Sequence, residues 1–194
     1  VPYESLETTH ASVMDAMGNA VSYTTTLNLS YGTKIVAAGT GMLLNNEMDD
    51  FSAKENEPNF YGLIGRQANA IEPGKRMLSS MTPTIVVKEG KPLLVTGSPG
   101  GSTIITTTMQ IILNVLEHKM SLSDAVSSPR FHHQWLPTRV IYEPQAFSAD
   151  TRRALESRGY NELVPLPRTY QIGDGNSVMR SNKGIEGMAD PRNA

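Results

Sequence analysis

Residues 6–28 read LETTHASVMDAMGNAVSYTTTLN. Two segments, 9–15 and 20–27, alternate in polarity and are rich in Val, Thr and Tyr, with AMGN between them. Alternation with a period of two, broken by Gly-Asn, predicts a β-hairpin with Gly18 and Asn19 in its turn. The same stretch sets Thr8, Thr9 and His10 at the start of the first strand. Adjacent threonines are ordinary on a strand surface. They also permit chemistry, because a threonine hydroxyl becomes a nucleophile beside a suitable base. A free α-amine, with a pKa of about 7.7–8.0, is such a base when the threonine begins its chain. Val1 to Glu7 precede Thr8, so this reading requires a cut between Glu7 and Thr8.

Outward from the hairpin, residues 33–46 read as a buried strand running into a polar turn, and 53–76 as a long irregular loop. TPTIVVKEGKPLLVTG (82–97) is a second hairpin turning at Lys88–Lys91. In TIITTTMQIILNVLEHK (103–119), Ile104, Ile105, Met109, Ile112, Val115 and Leu116 have the spacing of a largely buried helix. SLSD (121–124) resembles a capping box opening a short helix, and SADTRRALESRGY (148–160) reads as an amphipathic helix ended by Gly159. Short strands are expected at Leu163–Pro165, Tyr170–Ile172 and Ser177–Arg180. Strands, a hairpin, helices and strands again predict an α+β class with antiparallel sheets, not a doubly wound parallel sheet.

The 194 residues fit one domain, with 39% hydrophobic and 19% charged residues. A net charge of -2 and the lack of aromatic-interleaved basic patches argue against nucleic acid as a partner. With no cysteine, disulfides, thiolate metal sites and a cysteine nucleophile are excluded. No basic start leads into an apolar run, so no signal peptide is expected in this chain. The apolar run Ile111–Leu116, broken by Asn114, is far short of the roughly 20 residues that span a bilayer.

Four clusters could carry chemistry. NNEMDDF (45–51) lacks the alternating ligands and glycine of a calcium loop. It reads either as a solvated turn or as a site where Glu47 and Asp50 both accept from one ammonium group. RMLSSMTP (76–83) offers a polar turn, or the Ser79 and Ser80 hydroxyls with Arg76 for a ligand carboxylate. GSPGGS (97–102) joins a strand to a helix. It is a plain tight turn or a set of N–H donors for a developing oxyanion. It matches neither a phosphate-binding loop ending in Gly-Lys-Ser/Thr nor a Gly-x-Ser-x-Gly elbow. In RFHHQWLP (130–137) the adjacent histidines point apart on any regular element, so packing and hydrogen bonding are expected rather than a metal site.

Together, PYESLETTH, GNAVSYTTTLN, LLNNEMDDFSAK, PNFYGLIG, ANAIEPGKR, LSSMTPTIVVK, VTGSPGGS, PRFHHQWLP and ADPR resemble the small catalytic subunit of the γ-glutamyltranspeptidases. The resemblance covers most of residues 2–140 in the family's order; beyond that it is weak apart from ADPR. It implies the N-terminal nucleophile hydrolase fold, an αββα sandwich of which this chain is the small-subunit portion. It implies a precursor that cuts itself before Thr8, making residues 1–7 the tail of the large-subunit region and 8–194 the catalytic region. Thr8 is then the nucleophile, and Thr26 tunes it. Glu47 and Asp50 hold the substrate α-amino group, and Asn28, Ser79 and Ser80 its α-carboxylate. Gly100 and Gly101 supply the oxyanion donors, and Tyr61 covers the pocket from a lid loop. The implied reaction is transfer or hydrolysis of the γ-glutamyl group of glutathione or another γ-glutamyl amide. The acceptor is an amino acid, a peptide or water, and no metal or organic cofactor takes part. The implied partner is the large subunit of the same precursor, as a heterodimer, in a periplasmic or extracellular location. The chain departs from the family at Met77, where proline is usual, and at Thr103, where arginine is usual. Two alternatives stand beside this: a related acylase or γ-polyglutamate-processing enzyme, and an uncleaved, catalytically silent segment.

Overall fold

In the computed structural model, residues 8–193 are described; the proposed tail 1–7 lies outside them. Strands β1 (Thr9–Met14) and β2 (Ala20–Thr25) form the first hairpin. Its loop is tied by Asp15, whose carboxylate accepts from Asn19 N at 2.9 Å and Asn19 Nδ2 at 2.7 Å, while Gly18 takes φ 95°. Strands β3 (Thr84–Lys88) and β4 (Lys91–Thr96) turn through Glu89 and Gly90, both at positive φ, as a two-residue hairpin turn demands. Helix α1 (Thr103–Leu116) and helix α2 (Leu122–Ser127) follow. Ser121 caps α2 by accepting from Asp124 N at 3.1 Å, as the SLSD signature predicts. Then come β5 (Phe131–His132), β6 (Val140–Tyr142), α3 (Ala149–Glu156), β7 (Leu163–Pro165), β8 (Ser177–Ser181) and β9 (Gly184–Met188).

A four-stranded sheet in the order β3-β4-β8-β9 is the centre. Its strands all pair antiparallel. Leu94 on one face packs with Ile111 and Val115 of α1 and Leu122, Ala125 and Val126 of α2. The β1–β2 hairpin lies on the opposite face through small residues: Ser22 Oγ donates to Thr96 O (3.0 Å), and Ser12 Oγ to Asn176 O (2.8 Å). Hairpin, sheet and helices therefore make three stacked layers. The outer face of the hairpin, including Val13, Val21 and Tyr23, is exposed. A second sheet, β5-β6-β7, carries α3 on the connection between the parallel pair β6 and β7.

Several expectations need correction. Residues 33–46 form turns around an isolated Val36–Leu43 bridge, with Ile35, Val36 and Met42 exposed; the apolar run has no sheet to pair with. Residues 170–172 are irregular although Ile172 is buried, because side-chain contacts hold that backbone in place of a ladder. Strands β5, β6 and β9 were not expected; two of them are no longer than three residues, too short to show a period. The buried stripe of α1 runs through Ile104, Thr107, Thr108, Ile111 and Val115. Ile105, Met109 and Leu113 form an exposed apolar stripe instead.

Candidate active site

The hairpin register builds the first part of the site. Thr9 pairs with Thr25 and His10 with Thr24, so the next rung sets Thr8 opposite Thr26. Thr8 is 7% exposed, and its Oγ1 donates to Thr26 Oγ1 at 3.0 Å. Thr26 Oγ1 also accepts from Asn28 N (2.9 Å), which fixes the chain as it leaves the strand. Asn28 is buried, at φ 72°, and donates through Nδ2 to Asn46 O (3.1 Å). That contact brings the acidic turn Glu47–Asp50 to the hairpin.

Thr8, Thr26, Asn28, Glu47, Asp50, Tyr61, Ser79, Ser80 and Gly101 line one cavity of about 20 Å³, with Met81 and Ile104. Its free space is about that of one water. Of the residues read from sequence, Gly100 and Arg76 are not in this lining. Gly100 adjoins it at φ 129°, and Arg76 is exposed elsewhere. Met81 and Ile104 were missed, because single apolar residues carry no chemical signature.

The acid pair is the electrostatic feature of the cavity. Burial first, then the charge of Asp50 and their shared hydrogen bond, push Glu47 up to about 7. Burial also raises Asp50, partly offset by its bond to Glu47. Among the described residues neither carboxylate has a cationic partner, and Glu47 Oε1 is buried with no hydrogen bond. Two acids forced together without a cation form a site for one.

The glycine turn closes the other end. Gly101 takes φ 54°, and a Cβ there would meet the Tyr61 ring at 2.7 Å. Tyr61 is held over the turn by its OH, which donates to Asn28 O at 2.6 Å. The Gly100 and Gly101 N–H groups donate to no acceptor among the described residues. Thr103, where the family usually has arginine, is buried and secures the turn by donating from Oγ1 to Gly100 O (2.7 Å). A Cβ on Gly97 would strike the His10 ring, so this glycine lets the hairpin seat against the turn. His10 is buried between Thr24 Oγ1 (2.7 Å) and Ser12 Oγ (2.9 Å). Because Ser12 gives its proton to Asn176 O, His10 carries its own on Nε2. Burial lowers its pKa, with Asp174 opposing, and keeps the ring neutral.

Behind the turn, a buried ion network that sequence reading did not foresee anchors segment 172–176. Arg130 Nη1 donates to Ile172 O (2.8 Å) and its Nη2 to Asp190 Oδ2 (2.6 Å). Asp190 also accepts from Gly175 N (2.7 Å), and Arg192 bonds Asp190 and Glu143. The segment then reaches the site, as Asp174 N donates to Ser98 Oγ at 2.8 Å. The ADPR motif was the one sign of this in the sequence. The histidine pair behaves as expected: His132 is buried on Thr106 and Gln134, and His133 packs on Tyr160. Among the described residues no three His, Asp or Glu side chains lie close enough to hold a metal ion.

A helix-backed sheet stacked on a hairpin that presents a threonine beside a glycine turn has the N-terminal nucleophile hydrolase architecture, in its small-subunit portion. The family model described as gamma-glutamyltranspeptidase matches residues 2–194. The chain is 53% identical to a glutathione hydrolase proenzyme of Escherichia coli over 192 residues, 98% of this chain and 32% of the relative. A solved Helicobacter pylori gamma-glutamyltranspeptidase T380A mutant superposes with a TM-score of 0.87 at 52% identity, covering 95% of this chain and 99% of that one. A cephalosporin acylase of Bacillus halodurans shares the fold more distantly, with a TM-score of 0.76 at 28% identity, over 94% of this chain and 32% of the other. The chain belongs to the γ-glutamyltranspeptidase family. It spans about a third of the length of the curated relatives it matches.

Proposed function

We propose that this chain is the catalytic small-subunit part of a γ-glutamyl transferase and glutathione hydrolase. In this reading the Glu7–Thr8 bond is cut, and the freed α-amine of Thr8 takes the proton of its own hydroxyl as Oγ1 attacks the γ-carbonyl. The Gly100 and Gly101 N–H groups hold the oxyanion. The amine returns the proton to the leaving nitrogen, a γ-glutamyl ester on Thr8 remains, and water or an acceptor amine resolves it. Glu47 and Asp50 hold the substrate ammonium, with Asn28, Ser79 and Ser80 at its carboxylate. The small cavity requires Tyr61 to lift from Gly101 as the γ-glutamyl group enters.

The observation that carries this reading is the half-buried Glu47–Asp50 pair, which has no cationic partner among the described residues and whose Glu47 Oε1 is buried without a hydrogen bond, in one cavity with the Thr8 hydroxyl. A glutaryl substrate has no amine for that pair, so the acylase alternative leaves it unexplained. The exposed apolar faces on the hairpin and on α1 support a large-subunit partner. The test is the full precursor, checked by mass for the cut before Thr8 and assayed with γ-glutamyl and glutaryl anilides. We expect cleavage and γ-glutamyl release. Efficient glutaryl release without γ-glutamyl release would sink the proposal, as would an intact precursor that stays inactive.

A further inference from the structure

Each N–H of the glycine turn belongs to a peptide plane, and a side-chain hydroxyl grips the carbonyl of each plane. The Pro99–Gly100 peptide carries the Gly100 N–H, and Pro99 O accepts from Ser98 Oγ at 2.5 Å. The Gly100–Gly101 peptide carries the Gly101 N–H, and Gly100 O accepts from Thr103 Oγ1 at 2.7 Å and from Thr103 N at 3.0 Å. Both hydroxyl residues are buried, Ser98 at 0% and Thr103 at 1% exposed. Both peptides are trans. In a planar trans peptide C=O and N–H point in opposite directions, so fixing the oxygen aims the hydrogen.

The turn needs this grip. Gly100 and Gly101 take φ 129° and 54°, and glycine reaches positive and negative φ about as readily, so the backbone alone selects no orientation for either plane. The hydroxyls do select one. Ser98 Oγ accepts from Asp174 N at 2.8 Å, so its one proton goes to Pro99 O. Segment 172–176 comes this close because Gly173 has no side chain; a Cβ there would meet Ser98 Oγ at 2.7 Å. Thr103 N by itself satisfies Gly100 O, so the second bond, from Oγ1, is not needed to pair a buried carbonyl. It occupies the remaining lone pair and adds direction. A Cβ on Gly100 would meet Thr103 Oγ1 at 2.6 Å, so the hydroxyl reaches its carbonyl only across a glycine.

We propose that Ser98 and Thr103 are positioning residues of the reaction. Ser98 aims the Gly100 N–H, and Thr103 the Gly101 N–H, at the place where the negative oxygen of the tetrahedral intermediate forms. This rests on the oxyanion assignment in the reading above and says what holds those donors in place. Neither hydroxyl touches the acid pair or the serines assigned to the amino-acid end of the donor. Losing one therefore weakens the transition state and spares binding of the ground state.

The test uses the processed full-length protein. Thr103→Val keeps the shape without the hydroxyl, Thr103→Ser keeps the hydroxyl, and Ser98→Ala removes the other one. Turnover is followed with whichever anilide the wild type releases, γ-glutamyl or glutaryl, per Thr8 end counted by mass. Two inhibitors separate the states. The free acid of the acyl group has no tetrahedral centre. With the matching boronic acid, Thr8 Oγ1 bonds to boron, its proton passes to the α-amine, and a tetrahedral anion forms at the oxyanion donors. Removing a whole oxyanion donor costs about 10²–10³ in rate, so a donor kept but loosened predicts a fall of about tenfold in kcat/KM for Thr103→Val and for Ser98→Ala. The boronic-acid Ki should rise by about the same factor, while the free-acid Ki stays within about twofold. Thr103→Ser should stay within about threefold of wild type in all three. Unchanged turnover in Thr103→Val or Ser98→Ala overturns the role of that hydroxyl. Thr103→Ser as poor as Thr103→Val assigns the effect to packing and overturns the role of Thr103. A free-acid Ki that rises in step with the boronic-acid Ki overturns the proposal, as does a variant precursor that is not cut. Glutaryl release without γ-glutamyl release overturns the γ-glutamyl reading alone, and the glutaryl series then decides the two hydroxyls. No release of either anilide by the wild type overturns both.

Discussion

Substituting Asp190→Asn tests whether the buried ion network holds the site together. The Asp190 side chain is fully buried, and it meets Arg130, itself 2% exposed, at 2.6 Å. Around them Arg192 pairs with Glu143 at 2.7 Å and with Asp190 at 3.0 Å, so two cations balance two anions. Asparagine keeps the shape and removes one anion, leaving a net buried positive charge. Breaking a buried pair from one side costs about 3–5 kcal/mol, which in a cooperative unit of this size lowers Tm by about 6–20 °C. The exposed pair Asp150–Arg153 is the internal comparison, with side chains 86% and 70% exposed. Asp150→Asn should cost under about 1 kcal/mol. The pH dependence carries a second signature. Burial alone would raise the Asp190 pKa, but Arg130 and Arg192 outweigh it and hold it below the ordinary carboxylate value. A depressed folded-state pKa gives stability that is present above the unfolded value, about 4, and lost as pH falls through the folded one. Asp190→Asn should therefore flatten the acid limb of the stability profile. Thermal unfolding across pH 3–8 measures both effects. A Tm loss no larger than that of Asp150→Asn would refute the reasoning, and so would an unchanged acid limb.

Glu47 gives a kinetic counterpart. Burial and the neighbouring Asp50 push its pKa up to about 7, so if it binds the donor ammonium when ionised, as proposed, kcat/KM for a γ-glutamyl donor should fall as pH drops through about 7. Glu47→Gln should weaken the donor and abolish that limb, leaving only the one set by the Thr8 amine; a limb that persists unchanged assigns it elsewhere. At the glycine turn, Gly101→Ala meets a left-handed φ and the Tyr61 ring, whereas Gly62, at φ 73° with open space, meets the backbone strain alone. Each should lose about 1–2 kcal/mol of stability, but only Gly101→Ala should displace Tyr61 and raise donor KM. Equal kinetics for the two variants would dissociate Tyr61 from the site.

Much of the local structure was legible. The 9–27 hairpin, the 82–97 hairpin, the Ser121 cap and the helix ended by Gly159 each rest on contacts between near neighbours, which a sequence window contains. The hairpin register even fixes the Thr8–Thr26 contact, since one rung follows from the last. Other features depend on residues far apart in the chain. The run 33–46 is apolar enough for a strand, yet only the presence or absence of a neighbouring edge decides that. Thr103, Thr107 and Thr108 of α1 are buried and Ile105 and Met109 exposed because the stripe of the helix is chosen by Leu94 and its neighbours on the sheet.

The sequence by itself determined the family, the hairpins and helices, and the residue types on which the proposed γ-glutamyl chemistry rests. Tertiary structure decided which of them meet. It put the acid pair, the serines and Tyr61 around Thr8 and left Arg76 outside. It tied Arg130 to Asp190 across sixty residues and opened a cavity around Arg139. The physical reason is range. Hydrogen-bonding period, caps and turn dihedrals act over a few residues. Burial, desolvation and charge pairing depend on which surfaces the whole fold brings together.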